Sequence, residues 1–208
     1  MTRPMRPRWI LASSSPRRKE ILAGLGMRFI VDPCNLPEPV RRPGERPSVY
    51  ATRAARDKAR VVSAKHKTGV VIGADTIVVC GGRILGKPAD RGEGREMLER
   101  LTGRWHEVIT GLSLVDLDAR RTHSGFGRSR VHFRRLTADE IRWYLRTGEY
   151  ADKAGAYAVQ GYAALFIDRI EGCYFNIVGF PVATFERLCR RLGYNLIGQL
   201  GIPSPGRI

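Results

Sequence analysis

The run Gly69-Val-Val-Ile-Gly-Ala-Asp-Thr-Ile-Val-Val-Cys80 constrains the fold more than any other stretch of the chain. A run of β-branched and small apolar residues predicts a strand that is buried on both faces, and such a strand must lie inside a sheet. The segment Gly73–Thr76 predicts an interruption at the centre of this strand. The Gly81-Gly82 pair that follows predicts a tight hairpin turn into a second strand, Arg83–Leu85.

Helical and extended patterns alternate on either side of this run, and this order predicts an α/β fold with a mixed sheet. The predicted helices are one that begins with Ser15 as N-cap and ends near Gly24, and those over Ser48–Lys67, Asp90–Leu101, Glu140–Arg146 and Phe180–Leu192. The other predicted strands are Trp9–Ala12, Arg28–Asp32, Trp105–Val115, Gly125–Leu136, Gly155–Tyr162 and Ala164–Ile170. The Gly- and Pro-rich residues 193–208 are expected to form a loosely held tail.

Composition narrows the class of protein. The chain has 208 residues, of which 43% are hydrophobic and 27% are charged, as in one ordinary globular domain or one two-lobed domain. No apolar run reaches the length of a membrane helix, and no apolar segment of signal-peptide length follows the basic residues 1–8. The four cysteines form no CxxC pair. We therefore expect a cytoplasmic protein with reduced thiols and no membrane partner.

The formal net charge of +16 indicates a partner or ligand that carries negative charge. A nucleic acid is one such partner. However, the basic residues are spread along nearly every element, without the aromatic-interleaved basic stripe of RNA-binding modules. The charge therefore favours an anionic ligand, and the pattern argues against a nucleic acid.

The first predicted helix contains an electrostatic conflict. Arg17, Arg18 and Lys19 occupy its first turn, where the helix dipole and the free N–H groups favour anions. One interpretation is an anion seated on the helix N-terminus, held by N–H groups, serine hydroxyls and guanidinium groups. The other is that the three cations form a solvated face. These residues alone leave both open.

Asp75 is the most informative single residue, because a carboxylate inside an apolar run is costly unless it is paired, protonated or bound to a metal. This favours a functional role over a structural salt bridge. Thr76 could donate to the same ligand, and Lys87 is constrained between Gly86 and Pro88. Lys58, on the second predicted helix, is ambiguous, and Glu38 in its loop would by itself be a solvent-facing side chain.

Gln160 lies in a stretch bracketed by Gly155 and Gly161. Its carboxamide offers a donor and an acceptor, which suits the adjacent acceptor and N–H donor of uracil or thymine. On spacing alone, a structural glutamine is favoured. The chain has neither a G-x-S-x-G elbow nor a complete G-x-x-x-x-G-K-[ST] loop, so serine hydrolases and P-loop enzymes lack support.

Four segments, taken together and in this order, resemble the Maf family of nucleoside triphosphate pyrophosphatases over about Trp9 to Leu192. They are Leu11-Ala-Ser-Ser-Ser-Pro-Arg-Arg18, Gly73-Ala-Asp-Thr-Ile-Val78 with Gly86-Lys-Pro88, Asp152-Lys-Ala-Gly-Ala-Tyr157 through Gln160-Gly161, and Ile170-Glu-Gly172 through Asn176-Ile-Val-Gly-Phe-Pro181. The chain is most similar to the branch that acts on dTTP and UTP. The branch that acts on 7-methyl-GTP typically carries Cys-Ala-Gly-Ser-Phe and a Glu in the third segment.

The resemblance implies cleavage between the α- and β-phosphates, which gives a nucleoside monophosphate and pyrophosphate. Asp75 matches the family's proton acceptor and, with Glu38, would lie near a divalent cation, Mg²⁺ or Mn²⁺. The remaining matched residues are Arg17, Thr76 and Gln160 at positions linked to substrate selection, Arg18, Lys58 and Lys87 near the phosphates, and Ser13 at the helix N-terminus that the triphosphate would cross.

The resemblance also implies an elongated, two-lobed α/β structure, with a mixed β-sheet flanked by helices and a central cleft, like that of inosine triphosphate pyrophosphatase, and often dimeric. Residues 9–192 would form this catalytic domain, between the basic extension 1–8 and the tail 193–208. A house-cleaning hydrolase of dTTP, UTP or modified pyrimidine nucleotides is the expected function. The alternative is a non-catalytic nucleotide-binding regulator of septum formation, since the family is associated with cell division. A nucleic-acid binder driven by charge is the second rival.

Overall fold

A computed structural model describes residues 7–37 and 39–200, except for the side chain of Gln199. Its strands are β1 Trp9–Leu11, β2 Phe29–Val31, β3 Val70–Cys80, β4 Arg83–Leu85, β5 Trp105–Asp116, β6 Arg121–Phe133 and β7 Ile167–Glu171. Its helices are α1 Pro16–Gly24, α2 Pro47–Ser63, α3 Arg91–Leu101, α4 Ala138–Arg146, α5 Tyr174–Val178, α6 Val182–Leu192 and α7 Leu196–Leu200. Two short 3-10 helices cover Ala154–Ala156 and Tyr162–Phe166.

The seven strands form one mixed sheet in the order β2-β1-β3-β5-β6-β7, with β4 paired to β3 as well. β1 runs parallel to β2 and β3, whereas the other pairs are antiparallel. Helices flank this sheet, so the expected α/β class with a mixed sheet is confirmed. Within the described part of the chain, no helix is long and apolar enough to cross a membrane.

β3 is continuous, so the predicted interruption at Gly73–Thr76 is wrong. β5 pairs with it from Val70 through Val79, and these ladder hydrogen bonds hold the polar centre in the strand. On the opposite edge, β1 pairs only with Val70–Ile72 and β4 only with Val78–Cys80. Among the described residues, no strand lies beside the five residues between them, and β3 therefore has a gap along this edge.

The α2 helix lies unusually close to β3 and β5. A Cβ atom at Gly73 would fall 2.1 Å from the Ala55 carbonyl oxygen, and one at Gly111 would fall 2.2 Å from that of Ala51. The apolar side of α2 is the expected one and is buried, namely Tyr50, Ala54, Ala55, Ala59 and Val62, together with Ala51. The helix ends at Ser63 rather than at Lys67. Close packing through glycines thus fixes α2 over the centre of β3.

The other face of β3 packs against two separate apolar clusters. Ala74 belongs to a cluster that includes residues of β1, α1 and α6, such as Leu11, Leu22 and Phe185. Val78 belongs to a cluster that includes residues of α3, α4 and β6. Thr76 lies between Ala74 and Val78, where the two clusters separate. The gap in β3 lies at the boundary between these two clusters.

The segment 155–162 is not the predicted strand. Gly155 and Ala156 have φ angles of 69° and 60°, which end an extended conformation and form a 3-10 turn. The prediction over Ala164–Ile170 is wrong in its first half, because β7 begins only at Ile167. In this region the apolar residues are buried although the backbone is irregular. Their spacing along the sequence therefore resembles that of a strand without forming one.

The start of the expected tail is held against the core. Tyr194 and Leu196 are buried, and the Tyr194 hydroxyl donates to Asp116 Oδ2 at 3.0 Å. The helix α7 then follows. The rest of the tail, residues 201–208, and most of the basic extension, residues 1–6, lie outside the described residues.

Candidate active site

A cleft of about 600 Å³ opens at the gap in β3. Its walls come from the loop into α1, from α2, from β3 and the end of β4, and from the irregular segment after α4. All the predicted site residues that the structure describes line this one cleft: Ser13, Arg17, Arg18, Lys58, Asp75, Thr76, Lys87 and Gln160. The ninth, Glu38, lies outside the described residues.

Asp75 is buried at the floor of the cleft, with an exposed fraction of 7%. Lys58 of α2 donates to its Oδ1 atom at 2.5 Å. The sequence left pairing, protonation or metal binding as ways to accommodate this carboxylate, and the structure shows it paired with Lys58. Because Asp75 and Thr76 are adjacent in a strand, their side chains leave opposite faces of the sheet, and both reach the cleft at the gap.

Arg18 is held by three acceptors. Its Nε donates to the Gly179 carbonyl, its Nη1 to Ser13 Oγ and its Nη2 to Thr76 Oγ1, each at 3.0 Å. Burial lowers the pKa of Arg18 to about 10, while the nearby Asp75 carboxylate acts in the opposite direction. A guanidinium with this pKa remains charged at neutral pH. Arg18 thus supplies a fixed positive charge that joins α1, β3 and the segment after α5.

The direction of the hydrogen bonds beyond Arg18 can be derived. Thr110 Oγ1 donates its single hydrogen to the Asn176 carbonyl at 3.0 Å, so Thr76 must donate in its own 3.0 Å contact with Thr110. The order is therefore Arg18 to Thr76 to Thr110 to Asn176. The sequence interpretation missed Thr110, because only the register of β3 and β5 places it opposite Thr76.

Asn176 anchors the far end of this chain of hydrogen bonds. Its side chain is fully buried, and its Nδ2 donates to the Val108 carbonyl at 2.9 Å and to Ser129 Oγ at 3.0 Å. Ser129 Oγ in turn donates to the Cys173 carbonyl. Asn176 belongs to the fourth recognised segment, yet its spacing there gave no sign of this role.

Two of the three cations at the start of α1 line the cleft, whereas Lys19 does not. Arg17 and Arg18 both line it, which contradicts a purely solvated basic face and favours the interpretation of an anion site. The first turn of α1 contains no acidic residue, and the Ser15 side chain forms no capping hydrogen bond. The Ser15 N–H donates instead to Ser13 Oγ at 3.3 Å. The N-terminus of α1 thus has no cap from the side chain of its own N-cap residue.

Two further cations, Lys87 and Lys153, also line the cleft. Burial lowers the pKa values of Lys153 and Arg17, and the Arg17 charge contributes further to the shift at Lys153. Asp152, with a φ of 56°, lines the cleft beside them. The sequence interpretation did not select Lys153 or Asp152, although both belong to the third recognised segment. Like charges gathered in one cleft favour a polyanionic ligand.

The Maf-like protein family model matches residues 8–192. The chain belongs to the Maf family. Among its relatives is the dTTP/UTP pyrophosphatase of Syntrophomonas wolfei, which is 43% identical over 90% of this chain and 98% of that protein. The dTTP/UTP pyrophosphatases of Carboxydothermus hydrogenoformans and Clostridioides difficile are 47% and 46% identical over 88% of this chain, and over 98% and 93% of their own lengths.

The Maf cleft can be tested for its fit to the divalent cation that the resemblance implies. No group of three His, Cys, Asp or Glu side chains gathers at one point in the described parts of the chain. Mg²⁺, however, is commonly held by one or two carboxylates together with substrate phosphates and water. Lys58 contacts Oδ1 of Asp75, so Oδ2 could serve as an oxygen ligand. The donor set therefore fits a cation that enters with a triphosphate.

Proposed function

We propose that this Maf chain is a nucleoside triphosphate pyrophosphatase that hydrolyses dTTP and UTP to the monophosphate and pyrophosphate. Asp75 carries this proposal, because it is a buried carboxylate at the floor of a cleft whose walls are cationic. Such an arrangement suits attack on a phosphorus atom, which needs a proton acceptor beside groups that stabilise phosphate charge. The relatives named dTTP/UTP pyrophosphatase, at 43–47% identity, support the substrate class.

In the proposed reaction, Asp75 accepts a proton from the water that attacks the α-phosphorus. The bond between that phosphorus and the α–β bridging oxygen breaks, and pyrophosphate leaves. Lys58 fixes the position of the carboxylate through the 2.5 Å contact. A divalent cation held by Asp75 and Glu38 would neutralise phosphate charge and polarise the phosphoryl group.

The phosphates would lie along the cationic walls of the cleft. Arg17 and the N–H groups at the start of α1 would contact them, together with Lys87 and Lys153, which line the same cleft. Arg18 contributes its charge from a fixed position, since each of its three nitrogens already has a protein acceptor. Charge that is fixed before the reaction costs no reorganisation as the transition state forms.

Gln160 would select the base at the edge of the cleft. Its amide can donate to the carbonyl and accept from the N–H of a uracil or thymine edge. We also infer a cytoplasmic location, which the four free cysteines support, since unpaired thiols persist in reducing compartments. A homodimer remains a prediction that sedimentation would test.

The direct test is a panel of nucleoside triphosphates incubated with Mg²⁺ or Mn²⁺, in which pyrophosphate and phosphate are measured separately. We expect pyrophosphate and monophosphate from dTTP and UTP, with much lower rates for the other bases. Release of phosphate alone would mean cleavage between the β- and γ-phosphates and would contradict the proposal. Nucleotide binding without any hydrolysis would indicate a regulator instead.

A further inference from the structure

The turn that presents Gln160 is held from outside the cleft. Gln160 is exposed at the cleft edge, and its amide forms no hydrogen bond with any described residue. The backbone that carries it therefore sets the position from which the amide reaches the cleft. In that backbone, the Gly161 N–H donates to the Ala158 carbonyl at 3.2 Å.

Glu149, just beyond the end of α4, binds the residues that follow Gln160. Its Oε2 accepts from the Tyr162 N–H at 2.9 Å, and its Oε1 accepts from the Ala163 N–H at 3.3 Å. Oε1 also accepts from the hydroxyl of Tyr144, a buried residue of α4, at 3.0 Å. One carboxylate thus ties the end of α4 to the turn.

Gly161 leaves room for this carboxylate. A Cβ atom at position 161 would fall 1.9 Å from Glu149 Oε2 and 2.3 Å from its Cδ. The φ of Gly161 is −117°, outside the left-handed region, so the backbone conformation does not require a glycine there. The close approach of Glu149 is what favours a glycine at position 161. Gly161 is bonded directly to Gln160.

We propose that Glu149 is a positioning residue for base selection, which acts by fixing the backbone on which Gln160 is carried. This inference rests on the proposed function, because it assigns Glu149 to the base-selecting end of the same cleft. A glutamine at position 149 keeps the shape of the side chain but replaces one acceptor oxygen with a donor. At least one of the three donors around it then loses its acceptor.

The test compares Glu149→Gln and Glu149→Ala with wild type on UTP, CTP and GTP. We expect the ratio of kcat/KM for UTP to that for CTP or GTP to fall about ten-fold in Glu149→Ala and less in Glu149→Gln, with KM for UTP rising more than kcat falls, because misplaced binding groups weaken orientation. Calorimetric binding of UTP and CTP in EDTA should show the same loss of preference.

Glu140→Gln is the matched control. Glu140, a glutamate within α4, likewise accepts from a backbone N–H, that of Thr137 at 2.8 Å, and from Arg134 at 2.7 Å, but among the described residues it forms no hydrogen bond with the turn that carries Gln160. This variant should lose stability and keep its base preference. A merely structural Glu149 would behave in the same way, which would overturn the proposal.

A second variant keeps the test decisive if truncation at position 149 affects folding. Gly161→Ala should reduce the UTP preference in the wild-type background, because its methyl group collides with Glu149. In the Glu149→Ala background the methyl group has room, so its effect should disappear. Additive effects would overturn the proposal. If wild type hydrolyses no nucleotide, the proposed function fails, and equal binding of UTP and CTP by wild type would then overturn this inference too.

Discussion

Lys58 on α2 and Asp75 on β3 meet across the packing interface of the two elements, with Nζ 2.5 Å from Oδ1. The two side chains retain exposed fractions of 17% and 10%. Both charges are therefore largely removed from water, and each is compensated by the other. It joins the long helix to the strand at the floor of the cleft, so folding and the proposed chemistry share one contact.

Asp75→Asn tests the role of the proton acceptor. The amide keeps the size of the side chain and removes its basicity, so we expect dTTP and UTP turnover to fall by about 10³-fold, within the range attributed to general bases. Circular dichroism and thermal unfolding should show a folded protein. Near-normal turnover in a folded variant would contradict the assignment.

Lys58→Met should lower the free energy of unfolding by about 3 kcal/mol at neutral pH, because it leaves a buried carboxylate without its partner. Urea denaturation measures this loss. The double variant Lys58→Met/Asp75→Asn removes both charges and should recover most of the stability while remaining inactive. Equal stability of the single and double variants would show that the pair is not coupled.

Thr110→Val should lower kcat/KM for UTP by about ten-fold, because Thr76 loses its acceptor and the Arg18 guanidinium is less firmly oriented. Thr110→Ser keeps the hydroxyl and should retain most activity. Ser113→Ala is a matched control, since Ser113 lies on the same strand, is buried and is hydrogen-bonded to Ser124 rather than to a cleft residue. An equal loss of activity in Ser113→Ala would show that Thr110 has no specific role in orienting Arg18.

His106 should make stability depend on pH. It is buried, its Nε2 lies 2.8 Å from the Tyr157 hydroxyl, and burial lowers its pKa to about 4. The unfolded chain therefore takes up a proton near pH 6.5 while the folded protein does not, and stability falls as the pH drops from 6.5 to 4. The loss should be about 3 kcal/mol.

Urea unfolding of wild type and His106→Gln between pH 7 and pH 4 measures this dependence. The difference between the two proteins should shrink as the pH falls. The depressed pKa values of Glu45 and Glu140, each about 2, place most of their titration at lower pH, so the two effects separate. A constant difference between wild type and variant would contradict the prediction.

How far the sequence predicted the site depended on the kind of signal. Asp75 could be found because a charge inside an apolar run violates a local rule. Lys58 could not be distinguished from its basic neighbours, since only the packing of α2 shows which cation reaches β3. Thr110 is placed opposite Thr76 only by the register of two strands. Glu149 contacts Tyr162, which lies 13 residues further along the chain. No local sequence pattern indicates either contact.

The fold followed the same division. Strands with β-branched runs and helices with clear caps were predicted well, and the capping box at Thr137 is present in full. The segment 155–162 was assigned wrongly, because its apolar spacing resembles a strand while two residues with positive φ turn the chain. The continuity of β3 was also missed, because the ladder with β5 overrides the local preference of Gly73 and Asp75.

The gap beside β3 bears on self-association as well as on catalysis. The Ile72 carbonyl accepts from Ala12, and strand alternation then directs the N–H and C=O groups of Ala74 and Thr76 into the gap. Free main-chain groups on an outer edge invite pairing with other molecules and aggregation. Here β1 and β4 pair with β3 at either end of the opening, so a foreign strand longer than the gap could not align along β3 without displacing one of them. The fold can thus leave a stretch of main chain unpaired without creating an aggregation-prone edge strand.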